Sequence, residues 1–88
     1  MRIKDGFILK DVAGSKIVIA TGDQRLNFNG VMTFNEVGAQ VFNMLDGTRT
    51  IDEIAKAIAE EYSVSEEVVK KDVIRLIEKM KGQGLIEE

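Results

Sequence analysis

The helix boundaries in the second half of the chain constrain its fold more than any other feature of the sequence. Asn35 can accept a hydrogen bond from a free N–H of a first helical turn, and Gly47 suits the left-handed conformation that ends a helix. Thr50 and Glu53 form a capping box for a second helix, and Ser65 is placed to cap a third. The sequence therefore predicts three helices in close succession.

The first third of the chain is predicted to form β structure. The runs Gly6–Val12 and Lys16–Ala20 are apolar or β-branched, and a short turn that contains Gly14 separates them, as is typical of a hairpin. Gly30 follows an asparagine in a second turn signal, and the run Val31–Phe34 after it is long enough for a third strand. A three-stranded antiparallel sheet is the expected result.

These elements together predict one α+β domain that spans residues 1–88. Residues 1–34 would be mainly β, and residues 35–84 would hold the three helices. The predicted architecture is a small three-stranded antiparallel sheet packed on a three-helix bundle that resembles a winged helix. A chain of this length buries only about 60% of the surface that its unfolded form exposes, so the core is expected to be thin.

Composition argues against most catalytic chemistry. The chain has no cysteine and no histidine, which removes thiolate nucleophiles, the commonest general base and the commonest metal ligand. We therefore predict a protein that is not an enzyme and that uses no metal or other cofactor. No apolar run approaches the roughly 20 residues that span a bilayer, and the first residues lack the apolar core of a signal peptide. These features predict a cytoplasmic protein that does not bind membranes.

A DNA-binding transcriptional regulator of the winged-helix class is the main alternative. That function requires a basic helix that neutralises phosphates, whereas the whole chain has a formal net charge of −3. The predicted third helix is nearly balanced in charge. Its basic residues are Lys70, Lys71, Arg75, Lys79 and Lys81, and its acidic residues are Glu66, Glu67, Asp72 and Glu78. The charges thus argue against nucleic acid as the partner. A second alternative is a structural module that forms oligomers by pairing edge strands between chains.

The third predicted helix is apolar around an unusually wide part of its circumference. It should be about 16 to 18 residues long and end near Gly82 or Gly84. Its apolar residues cover about 240° at 100° per residue, whereas packing on one side needs little more than 100°. Either the rest of the domain covers this arc, or one flank stays open for a partner. The apolar residues are Val68, Val69, Val73, Ile74, Leu76, Ile77 and Met80.

Gly38 is out of place in a helix. Glycine within a helix costs up to about 1 kcal/mol relative to alanine, and Gly38 falls inside the first predicted helix. A neighbouring strand or helix that approaches the backbone closely would account for this cost.

Several short segments, taken in their order and spacing, resemble the PqqD family. No single segment is specific, but together they extend over most of the chain, and the similarity is best between Gly30 and Ile86. Phe34 is one departure, since the family more often has leucine there. The segments are Met32–Gly38, Leu45–Gly47 with Thr50, Glu61–Tyr62, Asp72–Val73 and Gly84–Ile86.

The resemblance implies recognition rather than catalysis. In the family, the leader segment of a ribosomally made precursor peptide is thought to add as a strand beside the third strand, in the groove that this strand forms with the third helix. Carried over to this chain, the strand edge would comprise Gly30, Val31, Met32 and Thr33, and the groove wall would comprise Val69, Asp72, Val73 and Leu76.

The resemblance also implies the partners. They would be the precursor peptide and a modifying enzyme, either a radical S-adenosylmethionine protein or a leader protease, and the domain itself would be a monomer or a homodimer. Asp72 has two interpretations. It pairs with Arg75, three residues further along the helix, or it lies at the rim of the groove and faces a basic residue of the peptide.

Overall fold

The computed structural model describes residues 1–26 and 32–88. In chain order the elements are β1 (Arg2–Ile3), β2 (Phe7–Val12), β3 (Ser15–Ala20), a 3-10 turn (Gly22–Leu26), β4 (Met32–Phe34), α1 (Glu36–Met44), α2 (Ile51–Tyr62), α3 (Glu66–Gly82) and β5 (Ile86–Glu87). The α+β architecture predicted from the sequence, a three-stranded antiparallel sheet with three helices, is confirmed.

The predicted hairpin is β2 and β3, joined by a two-residue turn. Ala13 and Gly14 both have positive φ angles, 52° and 83°, and this turn geometry matches the twist of paired strands. The third predicted strand is β4, which pairs antiparallel with β3 through Ile17 opposite Thr33. The strand order is β2-β3-β4. The predicted turn at Gly30 and the start of the third strand lie outside the described residues.

Local hydrogen bonds fix the starts of the first two helices as the sequence predicts. The Gly38 N–H donates to Asn35 Oδ1 at 2.8 Å at the start of α1. At the start of α2, the Glu53 N–H donates to Thr50 Oγ1 at 3.1 Å and the Thr50 N–H donates to Glu53 Oε1 at 2.9 Å. Ser65 occupies the N-cap position of α3, but its side chain makes no capping hydrogen bond.

The connection between α1 and α2 differs slightly from the prediction. Helix α1 ends at Met44, and Gly47 has the expected positive φ of 89° but lies beyond the helix end, in the linker. There the hydroxyl and the N–H of Thr48 both donate to Asp46, at 2.7 and 3.0 Å. These hydrogen bonds, chiefly the one from the hydroxyl, lower the pKa of Asp46.

A second, two-stranded sheet joins the two ends of the described chain. β1 and β5 pair antiparallel, with Arg2 opposite Glu87 and Ile3 opposite Ile86. Arg2 Nε also lies 3.1 Å from Glu87 Oε2. The sequence does not predict β1, because a two-residue strand is too short to show alternation.

The core joins the three-stranded sheet to all three helices. Its most deeply buried large side chains are Val18, Val41, Ile54, Ile58, Val73, Met80 and Leu85. On α3 the core covers most of the apolar arc, but Leu76 and Ile74 are only half-buried and Val68 is 60% exposed. The remainder of the domain therefore covers the middle of the arc and leaves its two edges partly exposed, with Val68 and Leu76 at one edge and Ile74 at the other. No helix in the described ranges is long and apolar enough to cross a membrane.

Gly38 allows β4 and α1 to pack closely. A Cβ atom placed on Gly38 would lie 3.0 Å from Phe34 Cβ and 3.2 Å from two atoms of its ring. Phe34 is itself buried, and its ring centroid lies 6.2 Å from that of Phe42 on α1. The close approach predicted from the glycine is confirmed.

We expect Gly38→Ala to destabilise the protein by about 1 kcal/mol. The gain in helix propensity, up to about 1 kcal/mol, is outweighed by an overpacking cost of about 1–3 kcal/mol, because Phe34 Cβ is attached to the backbone and cannot rotate away. Gly82→Ala is the matched control, since no atom lies within 4 Å of its added Cβ. Urea unfolding should show a loss at Gly38 and a gain at Gly82; a gain at both positions would contradict the packing argument.

We expect Thr50→Ala to cost about 1 kcal/mol of unfolding free energy, because it removes the capping hydrogen bond at the start of α2. Ser65→Ala at the start of α3 should change the stability by less than about 0.5 kcal/mol, because its side chain makes no such bond. Thermal and urea unfolding of the two variants would test this. Equal losses would show that the capping bond is not what stabilises α2.

Candidate functional site

One edge of the three-stranded sheet is open. Within the described ranges, β4 pairs only with β3, which lies between it and β2. In an antiparallel ladder, the main-chain groups of alternate residues point away from the paired strand. The outer edge of β4 therefore presents N–H and C=O groups that an added strand could pair.

A groove of about 460 Å³ lies beside this edge. Residues of β4, the first turn of α1 and one face of α3 form its walls. The residues on α3 fall at spacings of three and four, which places them on one stripe of the helix. The lining residues are Thr33, Phe34, Asn35, Val37, Gly38, Asp72, Arg75, Leu76 and Lys79.

The structure brings three of the predicted binding residues together in this groove. They are Thr33 from β4 and Asp72 and Leu76 from α3. By contrast, the side chains of Met32, Val69 and Val73 are buried in the core and do not line it.

The main chain of Met32 still belongs to the β4 edge. The other two predicted edge residues, Gly30 and Val31, lie outside the described part of the chain. Peptide contact remains a prediction for all of the residues assigned to the edge and the groove wall.

Several residues of the groove are not among those predicted from the sequence. Arg75 and Lys79 follow Asp72 by three and seven positions, so helical spacing alone could have placed them on its face. Val37 and Gly38 line the groove because the start of α1 closes one of its ends. No local pattern predicts that contact, since it depends on how α1 packs against β4.

The groove combines an apolar floor with a charged rim. Phe34, Val37 and Leu76 provide apolar surface, and the last two are only half-buried. Such a surface suits the side chains of an extended peptide. No cluster of three or more acidic side chains that could hold a metal ion occurs among the described residues.

Asp72 lies close to Arg75 and at the rim of the groove, whereas its contact with a basic residue of a peptide remains a prediction. Arg75 Nη1 lies 3.6 Å from Asp72 Oδ1, so the two residues form a loose ion pair within α3. Both side chains also line the groove and are mostly exposed. Asp72 therefore pairs within its own helix and lies at the rim.

Two solved structures have the same fold. One is described as TbiB1 in complex with the TbiA(beta) leader peptide; it is 22% identical to this chain with a TM-score of 0.77, and the match covers 99% of this chain and 95% of that one. The other is lasso peptide synthetase B1 complexed with the leader peptide, 15% identical with a TM-score of 0.77, covering 99% and 96%. No curated protein matches the sequence.

The family comparison agrees with the fold. The family model that matches is described as coenzyme PQQ synthesis protein D, and it covers residues 15–86, from the start of β3 to the start of β5. This range includes β4, α1 and α3, which together form the groove. The chain belongs to the PqqD family.

Proposed function

We propose that this chain is a non-enzymatic recognition domain for the leader segment of a ribosomally made precursor peptide. The observation that carries the proposal is that the outer edge of β4 has no partner strand among residues 1–26 and 32–88 and lies beside a groove with an apolar floor. A leader would add as a fourth strand next to β4, and its side chains would enter the groove between β4 and α3. The bound leader would then be presented to a modifying enzyme.

The similar structures support this proposal. Both are described as complexes with leader peptides, and both match nearly the whole of this chain. The family match covers the elements that form the groove. The comparisons give no support to the DNA-binding alternative, and the overall charge of −3 remains unfavourable for it.

Main-chain pairing alone would not hold a leader tightly. Each hydrogen bond contributes about 1 kcal/mol net, and β4 has only three described residues. Low-micromolar affinity corresponds to about 8 kcal/mol. Buried apolar side chains contribute about 1.5–3 kcal/mol each, so Leu76, Val37 and Phe34 must supply a large share by accepting anchor residues of the leader.

The domain would act by raising the local concentration of the precursor at its enzyme. The absence of histidine and cysteine leaves the chain poorly equipped for catalysis, so the chemistry is assigned to the partner. We propose a radical S-adenosylmethionine protein or a leader protease in that role. Whether the free domain is a monomer or a homodimer paired through β4 can be read from the concentration dependence of its mass in light scattering.

An NMR titration with the leader of a precursor encoded beside this chain tests the proposal. We expect low-micromolar or tighter binding, with amide shifts concentrated at Thr33–Gly38 and at Asp72–Lys79, because these segments line the groove. Shifts on the exposed face of α2 serve as the internal control. Binding to duplex DNA without binding to any neighbouring leader would overturn the proposal.

Strand addition can be distinguished from other modes of binding with N-methylated leaders. Methylation of alternate amides that point at β4 should abolish binding, because it removes donors of the ladder. Methylation of the intervening amides, which point outward, should leave the affinity within about threefold, since these amides make no ladder hydrogen bonds. Equal effects of the two peptides would exclude pairing with the β4 edge and would favour side-chain recognition alone.

A further inference from the structure

We infer that the groove selects leader segments in which an apolar side chain is flanked by a carboxylate. This inference rests on the proposed function and names the class of segment that the groove accepts. It is carried by the charges on the α3 wall, where Arg75 precedes Leu76, Lys79 follows it in the next turn, and Asp72 is the one acidic residue among the lining residues.

The charge of the groove is opposite in sign to that of the chain. The lining residues include two cations and one anion, whereas the whole chain has a formal net charge of −3. A carboxylate that approaches the molecule is therefore repelled on average and attracted at the groove. This contrast favours binding of acidic peptides at the groove and disfavours their binding elsewhere on the surface.

Both cations are available to a ligand. Arg75 is 81% exposed, and its contact with Asp72 is long at 3.6 Å. By comparison, Lys70 Nζ lies 2.6 Å from Asp52 Oδ1 at the start of α2. Lys79 has no ion-pair partner within the described ranges. A carboxylate in the groove would thus meet cations that are not already neutralised by a close contact.

The spacing of these residues fits an extended peptide. Along a helix, positions three or four apart are separated by about 5–6 Å, and side chains on one face of a strand recur every 6.6–6.8 Å. A leader whose apolar side chain contacts Leu76 would therefore bring the side chain two positions away within reach of Lys79. The neighbouring Arg75 can reach the same carboxylate or one on the other side.

A selection from a displayed library of random twelve-residue peptides tests the inference without knowledge of the natural leader. The baits are the wild type, the double variant Arg75→Glu/Lys79→Glu, and the control Lys71→Glu, which reverses one charge on α3 at a residue outside the groove. Binding at the groove is checked by amide shifts at Thr33–Gly38, and circular dichroism checks that each variant is folded.

We expect the wild type to enrich Asp and Glu two positions from an apolar residue at least about twofold over the library, because side chains two positions apart lie on the same face of a strand. Exposed ion pairs change affinity by about two- to fivefold each, so the double reversal should weaken the selected peptides about tenfold or more and should itself enrich Lys and Arg. Lys71→Glu should change affinity less than about twofold. Asp72→Asn should tighten binding, because it frees Arg75 from its contact.

The outcomes separate this inference from the proposed function. Peptides that bind in the groove with no acidic enrichment, or a double variant that behaves like Lys71→Glu, would overturn the inference and leave leader recognition standing. Weaker binding by Asp72→Asn would also overturn it, since Asp72 would then face a basic residue of the peptide. If no selected peptide causes amide shifts at the groove residues, and the leader encoded beside this chain causes none either, the proposed function and the inference are both overturned.

Discussion

The close contact between Phe34 and Gly38 is the constraint on which the groove depends. Phe34 ends the edge strand and Gly38 lies in the first turn of α1, four residues later. Without a side chain at Gly38, the ring of Phe34 can pack against α1 and reach Phe42. This packing holds β4 at the border of the core and places the start of α1 at one end of the groove, so the open edge and the apolar floor occur side by side.

Helix α3 serves the core and the groove with adjacent faces. Val73 and Ile77 are buried, whereas Leu76, between them in sequence, is half-buried and lines the groove. Because the buried residues hold the helix in place, the residues at the rim are free to vary without loss of the fold. A small domain can in this way accommodate a helix with a wide apolar arc, since the part that the core does not cover contributes apolar surface to the groove.

The sequence predicted where the groove lies better than it predicted which residues line it. Asp72 and Leu76 were assigned to the groove wall and do line the groove, but Val69 and Val73 were assigned to the same wall and are buried. A helical projection gives the angle of each residue around α3, yet it cannot tell which part of a wide apolar arc the core will cover. Arg75 and Lys79 were not predicted to line the groove, because charged residues on a helix are usually exposed to solvent and make no specific contact.

The sequence by itself determined the features that depend on neighbouring residues: the hairpin turn at Ala13 and Gly14, the caps at Asn35 and Thr50, and the end of α3. Each is fixed by hydrogen bonds or backbone angles within a few positions. Only the tertiary structure decided the pairing of β1 with β5, the part of α3 left open, and the closure of the groove by α1. These depend on contacts between segments distant in sequence, whose geometry is set by how the whole core packs.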